Sequence, residues 1–123
     1  MPKFLFEANY NPEGVKGIIK EGGSARKAAV ENAVTALGGR LEVFYFAFGG
    51  VDAYVIADIP DNVTAAAMAL AVNQSGLAST KTVVLLTPEE TDAATKKTVS
   101  YRGPGREGNP RYSRESPTPG KLP

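Results

Sequence analysis

The run Leu41-Glu42-Val43-Phe44-Tyr45-Phe46-Ala47-Phe48 is followed by Gly49-Gly50 and then by Val51-Asp52-Ala53-Tyr54-Val55-Ile56-Ala57-Asp58. Both runs are dense in β-branched and aromatic residues, which suit a pleated, half-buried backbone. The glycine pair predicts a tight hairpin turn between them. Each side of this hairpin carries a helical pattern and then one more strand pattern. On the N-terminal side, Lys3 to Tyr10 reads as a strand. Asn11-Pro12 then supplies a capping residue and a proline at the first helical position, which predicts a short helix over 12–20 with Val15, Ile18 and Ile19 as its apolar face. Glu21-Gly22-Gly23 breaks it. Ser24 opens a second stretch over 25–37, in which Ala29, Val30, Ala33, Val34 and Leu37 recur at helical spacing, and Gly38-Gly39 closes it. On the C-terminal side, Asp61 caps an alanine-rich helix over 62–74 with Val63, Ala67, Leu70 and Ala71 on one face. Thr80 to Thr87 reads as the last strand, and Pro88-Glu89-Glu90 starts one further helical turn.

The order β-α-β-β-α-β places the chain in the α+β class. With right-handed crossovers it predicts a four-stranded antiparallel sheet with two helices on one face, the ferredoxin-like arrangement. Strict alternation along the hairpin puts Val43, Tyr45, Ala47, Val51, Ala53, Val55 and Ala57 toward the helices. It leaves Phe44, Phe46, Phe48, Tyr54 and Ile56 as a bare apolar surface. So large an exposed patch marks an interface, and the expectation is a homodimer in which two sheets pack face to face.

Composition narrows the chemistry. The 123 residues hold no Cys, His or Trp. Disulfides, thiol nucleophiles, Cys/His zinc sites and haem held by His or Cys are therefore excluded, and so is a Ser-His-Asp triad within one chain. No metal site or cofactor motif is present. Hydrophobic content is 42%, and no apolar run approaches the roughly 20 residues that a membrane span needs. The N-terminus lacks the pattern of a secretory signal, so a cytoplasmic location is expected. Charge is uneven: residues 1–95 carry a net −4 and residues 96–123 a net +5. The expected organisation is a folded domain over 1–95 and a disordered, basic, Pro/Gly-rich tail over 96–123.

Several short motifs resemble the GYD domain family. They are Asn11-Pro12-Glu13-Gly14, Ser24-Ala25-Arg26, Ala36-Leu37-Gly38-Gly39, the positions Tyr45, Gly49 and Asp52, and Pro60-Asp61 before the alanine-rich helix. The resemblance spans about residues 2–90. It implies a dimeric α+β barrel of the ferredoxin-like kind and brings no established reaction. Val51 stands where the family usually has Tyr before the Asp, and Asn11 where it commonly has Thr.

Four residues stand out as ligand-binding candidates. Asp52, beside the hairpin turn, is placed to act as a base or to bind a hydroxyl, although an Asp there also caps backbone amides. Arg26, in the first turn of a helix after Gly22-Gly23-Ser24, is suited to a phosphate or carboxylate, although a solvated helix face explains it as well. Gly22-Gly23 lacks the spacing of a phosphate loop. Tyr45, with Tyr10 and Tyr54, offers hydroxyls to a pocket between helices and sheet, and Asn11 adds a polar contact that turn chemistry also accounts for. In the tail, Tyr101, Arg102, Arg106, Arg111, Tyr112 and Arg114 interleave cations with aromatics, a pattern suited to single strands, but an unstructured solubilising end accounts for it too.

These residues support a small soluble homodimeric domain that is non-enzymatic or binds a small molecule. One alternative is a cofactor-free monooxygenase or isomerase-like enzyme on a dimeric α+β barrel, with Tyr45, Asp52 and Asn11 orienting the substrate. The other is a nucleic-acid accessory protein acting through its basic tail. The absence of His, Cys and any catalytic cluster argues against an enzyme.

Overall fold

The computed structural model describes residues 1–106. The elements run β1 (Lys3–Tyr10), α1 (Pro12–Glu21), α2 (Gly23–Ala36), β2 (Arg40–Phe46), β3 (Ala53–Asp58), α3 (Asn62–Gln74), β4 (Ala78–Leu85) and α4 (Pro88–Thr95). The strands form one antiparallel sheet in the order β2-β3-β1-β4. This is the ferredoxin-like arrangement. The chain divides into two compact units, with the second beginning at Thr87. In that unit α4 extends the expected single turn to eight residues. Its start is a capping box, with Glu90 N–H donating to Thr87 Oγ1 and Thr87 N–H donating to Glu90 Oε1. Residues 96–106 form neither helix nor strand. Most of the tail expected to be disordered, including Arg111, Tyr112 and Arg114, lies outside the described residues.

Helix ends in the first unit follow local chemistry. Asn11 Oδ1 accepts the Gly14 N–H at 2.9 Å to start α1, and Asp61 Oδ1 accepts the Thr64 N–H at 2.8 Å to start α3. Past α2, Gly38 takes φ +82. The Gly38 N–H then bonds the Thr35 carbonyl and the Gly39 N–H bonds the Val34 carbonyl, both at 3.0 Å. That is the paired bonding of a Schellman ending, which needs the left-handed residue that glycine supplies without strain.

The core lies between the sheet and the helices. Phe4, Phe6, Leu41, Val55 and Ala57 pack against Val34, Ala65 and Met68, with Val30, Ala33, Phe44 and Val72 around them. The inward face of α3 is therefore Ala65, Met68 and Val72. Of the expected face, Val63 and Leu70 are turned out, 80% and 69% exposed. No residue of α3 carries a charge. Its apolar pattern consequently has no polar side to set its phase, and packing chooses the face.

The hairpin shows the largest departure from expectation. Its strands stop at Phe46 and resume at Ala53, so the connection is Ala47–Asp52 rather than a two-residue turn. It is closed by the Ala47 N–H donating to the Asp52 carbonyl at 3.0 Å. Phe48 leaves the strand with φ +56, an uncommon conformation for a bulky residue, and its ring stacks on Phe46 at 5.5 Å. In β2, Leu41 pairs with Ala57 but Val43 pairs with Ile56, a register shift that leaves Glu42 as a bulge. One extra residue inverts the alternation beyond it. Phe44 and Phe46 therefore face the helices, where Phe46 meets Gly23 at the start of α2, and Tyr45 faces away, 68% exposed. Of the five residues expected on the bare surface, Tyr54 and Ile56 lie on the open face. Phe44 and Phe46 lie on the helix side, and Phe48 lies in the connection.

Registers define that open face row by row. Leu85, Lys3, Asp58 and Arg40 form one row, Val83, Leu5, Ile56 and Val43 the next, and Lys81, Glu7, Tyr54 and Tyr45 the third. An apolar band thus crosses the sheet between two polar rows. In the first row, Asp58 accepts from Lys3 Nζ at 2.8 Å and from Arg40 Nη2 at 2.8 Å, and Lys3 also pairs with Glu42. These cations hold the Asp58 carboxyl below its ordinary value, Lys3 contributing most, while the two carboxylates raise the Lys3 ammonium.

Candidate functional site

Between α1, α2, α3 and the inner face of the sheet lies a cavity of about 720 Å³. Its volume falls within the range of about 300–1,000 Å³ typical of small-molecule sites. The cavity exists because its walls are small where they meet. Gly14 and Gly17 on α1, Ala29 and Ala33 on α2, and Ala71 on α3 all line it. Gly14 lets α1 approach the segment before β4: a methyl group there would sit 2.2 Å from the Leu77 carbonyl oxygen. At Gly17 the same methyl would meet nothing within 4 Å.

The lining is polarised. Phe6, Val34, Phe44, Val55 and Met68 form an apolar end against the core. Tyr10, Lys20, Glu21, Arg26, Ser75 and Thr80 also line the cavity, and Tyr10, Glu21, Arg26 and Thr80 cluster at its polar end. Ala8 pairs with Thr80 and Tyr10 with Ala78, so Tyr10 and Thr80 are diagonal neighbours on the inward face. Arg26 Nη1 lies 3.5 Å from Glu21 Oε2. Burial is the main reason the Tyr10 phenol is raised above its ordinary value. The Glu21 and Asp52 charges push the same way, and Arg26 opposes them. Tyr10 therefore keeps its proton at neutral pH and remains a donor. Among the described residues, two buried side-chain polar atoms lack a hydrogen-bond partner, Arg26 Nε and Thr80 Oγ1. Both residues line this cavity. A buried polar atom left unpaired costs about 1–3 kcal/mol, so their shared placement is not neutral packing.

The sequence candidates divide sharply. Arg26 and Tyr10 reach the cavity. Asn11 instead caps α1 and donates from Nδ2 to the Gly76 carbonyl, which ties the helix start to the α3–β4 connection. The Asp52 carboxylate accepts the Tyr10 N–H at 2.9 Å, and the Asp52 N–H donates to the Ala8 carbonyl. It thus caps backbone, as an Asp near a turn does, but on the neighbouring strand. Tyr45 lies on the opposite face of the sheet, a consequence of the Glu42 bulge. The structure does not gather Asn11, Tyr45 and Asp52 around one space. Thr80 escaped the sequence reading because a threonine in a strand carries no signal of its own. No group of three or more His, Cys, Asp or Glu residues is placed to hold a metal ion among the described residues, and no helix there is long and apolar enough to cross a membrane.

A family model for the GYD domain matches residues 4–95. The chain belongs to the GYD domain family. No curated protein and no solved structure matched it. In this GYD domain Asp52 is the backbone cap beside Tyr10, and Val51 before it lies in the β2–β3 connection.

Proposed function

We propose that this GYD domain binds a small, mainly apolar molecule in the cavity between its helices and its sheet, and that it does so without catalysing a reaction. The observation that carries this reading is the cavity itself, which is apolar at one end and holds the unpaired Arg26 Nε and Thr80 Oγ1 in its walls. The one carboxylate that lines the space, Glu21, is engaged with Arg26, and Asp52 is engaged with the Tyr10 amide.

The test is a thermal-shift panel of apolar small molecules on the full chain, repeated on Gly17→Leu. Gly17 lines the cavity, and a methyl group there would meet nothing within 4 Å, so a leucine has room to narrow the space. Ligands that stabilise the natural chain are expected to lose effect on the variant. Undiminished stabilisation of the variant would refute the reading.

The protein is also proposed to act as a homodimer joined through its open sheet face. Support comes from the Val83, Leu5, Ile56 and Val43 band with Tyr45 and Tyr54 beside it. The flanking rows carry both signs of charge, Lys3, Arg40 and Asp58 on one side and Glu7 and Lys81 on the other. A second copy turned about a twofold axis can meet such rows with opposite charges.

A further inference from the structure

We infer that the ligand class is a carboxylate with an apolar body, its head group at Arg26 and its body toward Phe6 and Phe44; this rests on the cavity being the binding site. The cavity offers its polar groups at one end only, so a molecule polar at both ends would leave one end unpaired. Among the lining residues the cations outnumber the anions. Lys20 and Arg26 both line the cavity, the Thr80 hydroxyl and the Tyr10 phenol can each donate or accept, and Glu21 supplies the sole carboxylate. Arg26 is held by Glu21 at 3.5 Å through Nη1 alone, which leaves the rest of its charged fork to a planar two-oxygen head group. A primary amine would add a third cation beside one carboxylate, and a bare hydrocarbon would leave Lys20 and Arg26 with Glu21 alone between them. Glu21 has a second role here. It competes with the incoming carboxylate for Arg26 and holds the cation in place while the cavity is empty.

Calorimetric titration of the full chain with decanoate, 1-decanol and decylamine at neutral pH tests this. Decanoate is expected to bind about tenfold more tightly than decanol, the size of one charge-assisted hydrogen bond set against a neutral one, and decylamine more weakly than either. Arg26→Met should erase the preference for decanoate over decanol while leaving decanol binding in place. Glu21→Gln should tighten decanoate and leave decanol unmoved, an effect that a merely structural role for Glu21 would not produce. If Arg26→Met fails to fold, Lys20→Met gives a second reading, with a loss of several-fold for decanoate only. Equal binding of decanoate and decanol would overturn the ligand class and leave the cavity as the binding site. Decanoate binding that Gly17→Leu does not diminish would place the anion elsewhere and overturn both.

Discussion

Two glycines in α1, three positions apart, should respond to alanine with opposite signs. Both lie within the helix, where replacing glycine by alanine gains about 0.8–1 kcal/mol from backbone entropy alone. At Gly17 the added methyl meets nothing within 4 Å, so the gain is realised whole. In a domain of this size, about 1 kcal/mol raises Tm by roughly 4–8 °C. At Gly14 the methyl lands 2.2 Å from the Leu77 carbonyl oxygen and 3.2 Å from the Tyr10 Cβ, against 3.4–4 Å for ordinary contact. Neither neighbour is the free end of a side chain. The Leu77 carbonyl also accepts the Asn11 N–H at 3.0 Å, so pushing it away strains the start of α1 as well. Overpacking costs about 1–3 kcal/mol and a weakened hydrogen bond about 1 kcal/mol. Gly14→Ala is therefore expected to destabilise by about 1–3 kcal/mol despite its better helix propensity. Urea unfolding followed by far-UV circular dichroism, at one protein concentration so that association does not intrude, measures both variants. Equal stabilisation by the two alanines would show that α1 does not seat on the β4 approach, and the cavity wall built on that contact would go with it.

Replacing Asn11 with Ala removes both the α1 cap and the tie to Gly76, and should cost about 1–2 kcal/mol in the same assay; no measurable loss would deny the clamp. Asp58 titrates below its ordinary value of 3.8, so its ion pairs stabilise the fold fully above that value and cease to do so as pH falls through the lowered one. Lys3, raised above 10.5, contributes below 10.5 and stops contributing as pH rises through its raised value. Between about pH 2 and pH 5, stability should fall more steeply for the natural chain than for Asp58→Asn, and parallel slopes would exclude this pair as a source of acid sensitivity. Ile56→Lys on the open face should yield folded monomers by sedimentation velocity, while Phe46→Lys on the helix side should destabilise the fold itself by about 3 kcal/mol or more. A folded Ile56→Lys dimer would refute the proposed interface.

Local chemistry was legible from the residues alone. β1 over Lys3–Tyr10 and α3 over 62–74 fall where the sequence puts them, because capping by Asn11 and Asp61, proline at position 12 and the glycines after Leu37 act within a few residues of themselves. The element order then leaves few topologies open, and the β2-β3-β1-β4 sheet follows from it. The family resemblance drew on the same short motifs.

Which way side chains point was decided only in three dimensions. A single bulged residue, Glu42, reverses every side chain from Val43 onward, and nothing in the run Leu41–Phe48 announces it, since beyond Glu42 both alternating sets are apolar or aromatic. Phe44 and Phe46 went to the core and Tyr45 to the open face for that reason. The uncharged α3 likewise left its phase to packing. The polar end of the cavity is assembled from Tyr10 on β1, Glu21 on α1, Arg26 on α2 and Thr80 on β4, residues as much as 70 positions apart. No spacing rule links them. Sequence determined the elements because their signals are local. Tertiary structure decided the faces, and with them the site, because burial is a property of what lies opposite a residue and not of what lies beside it in the chain.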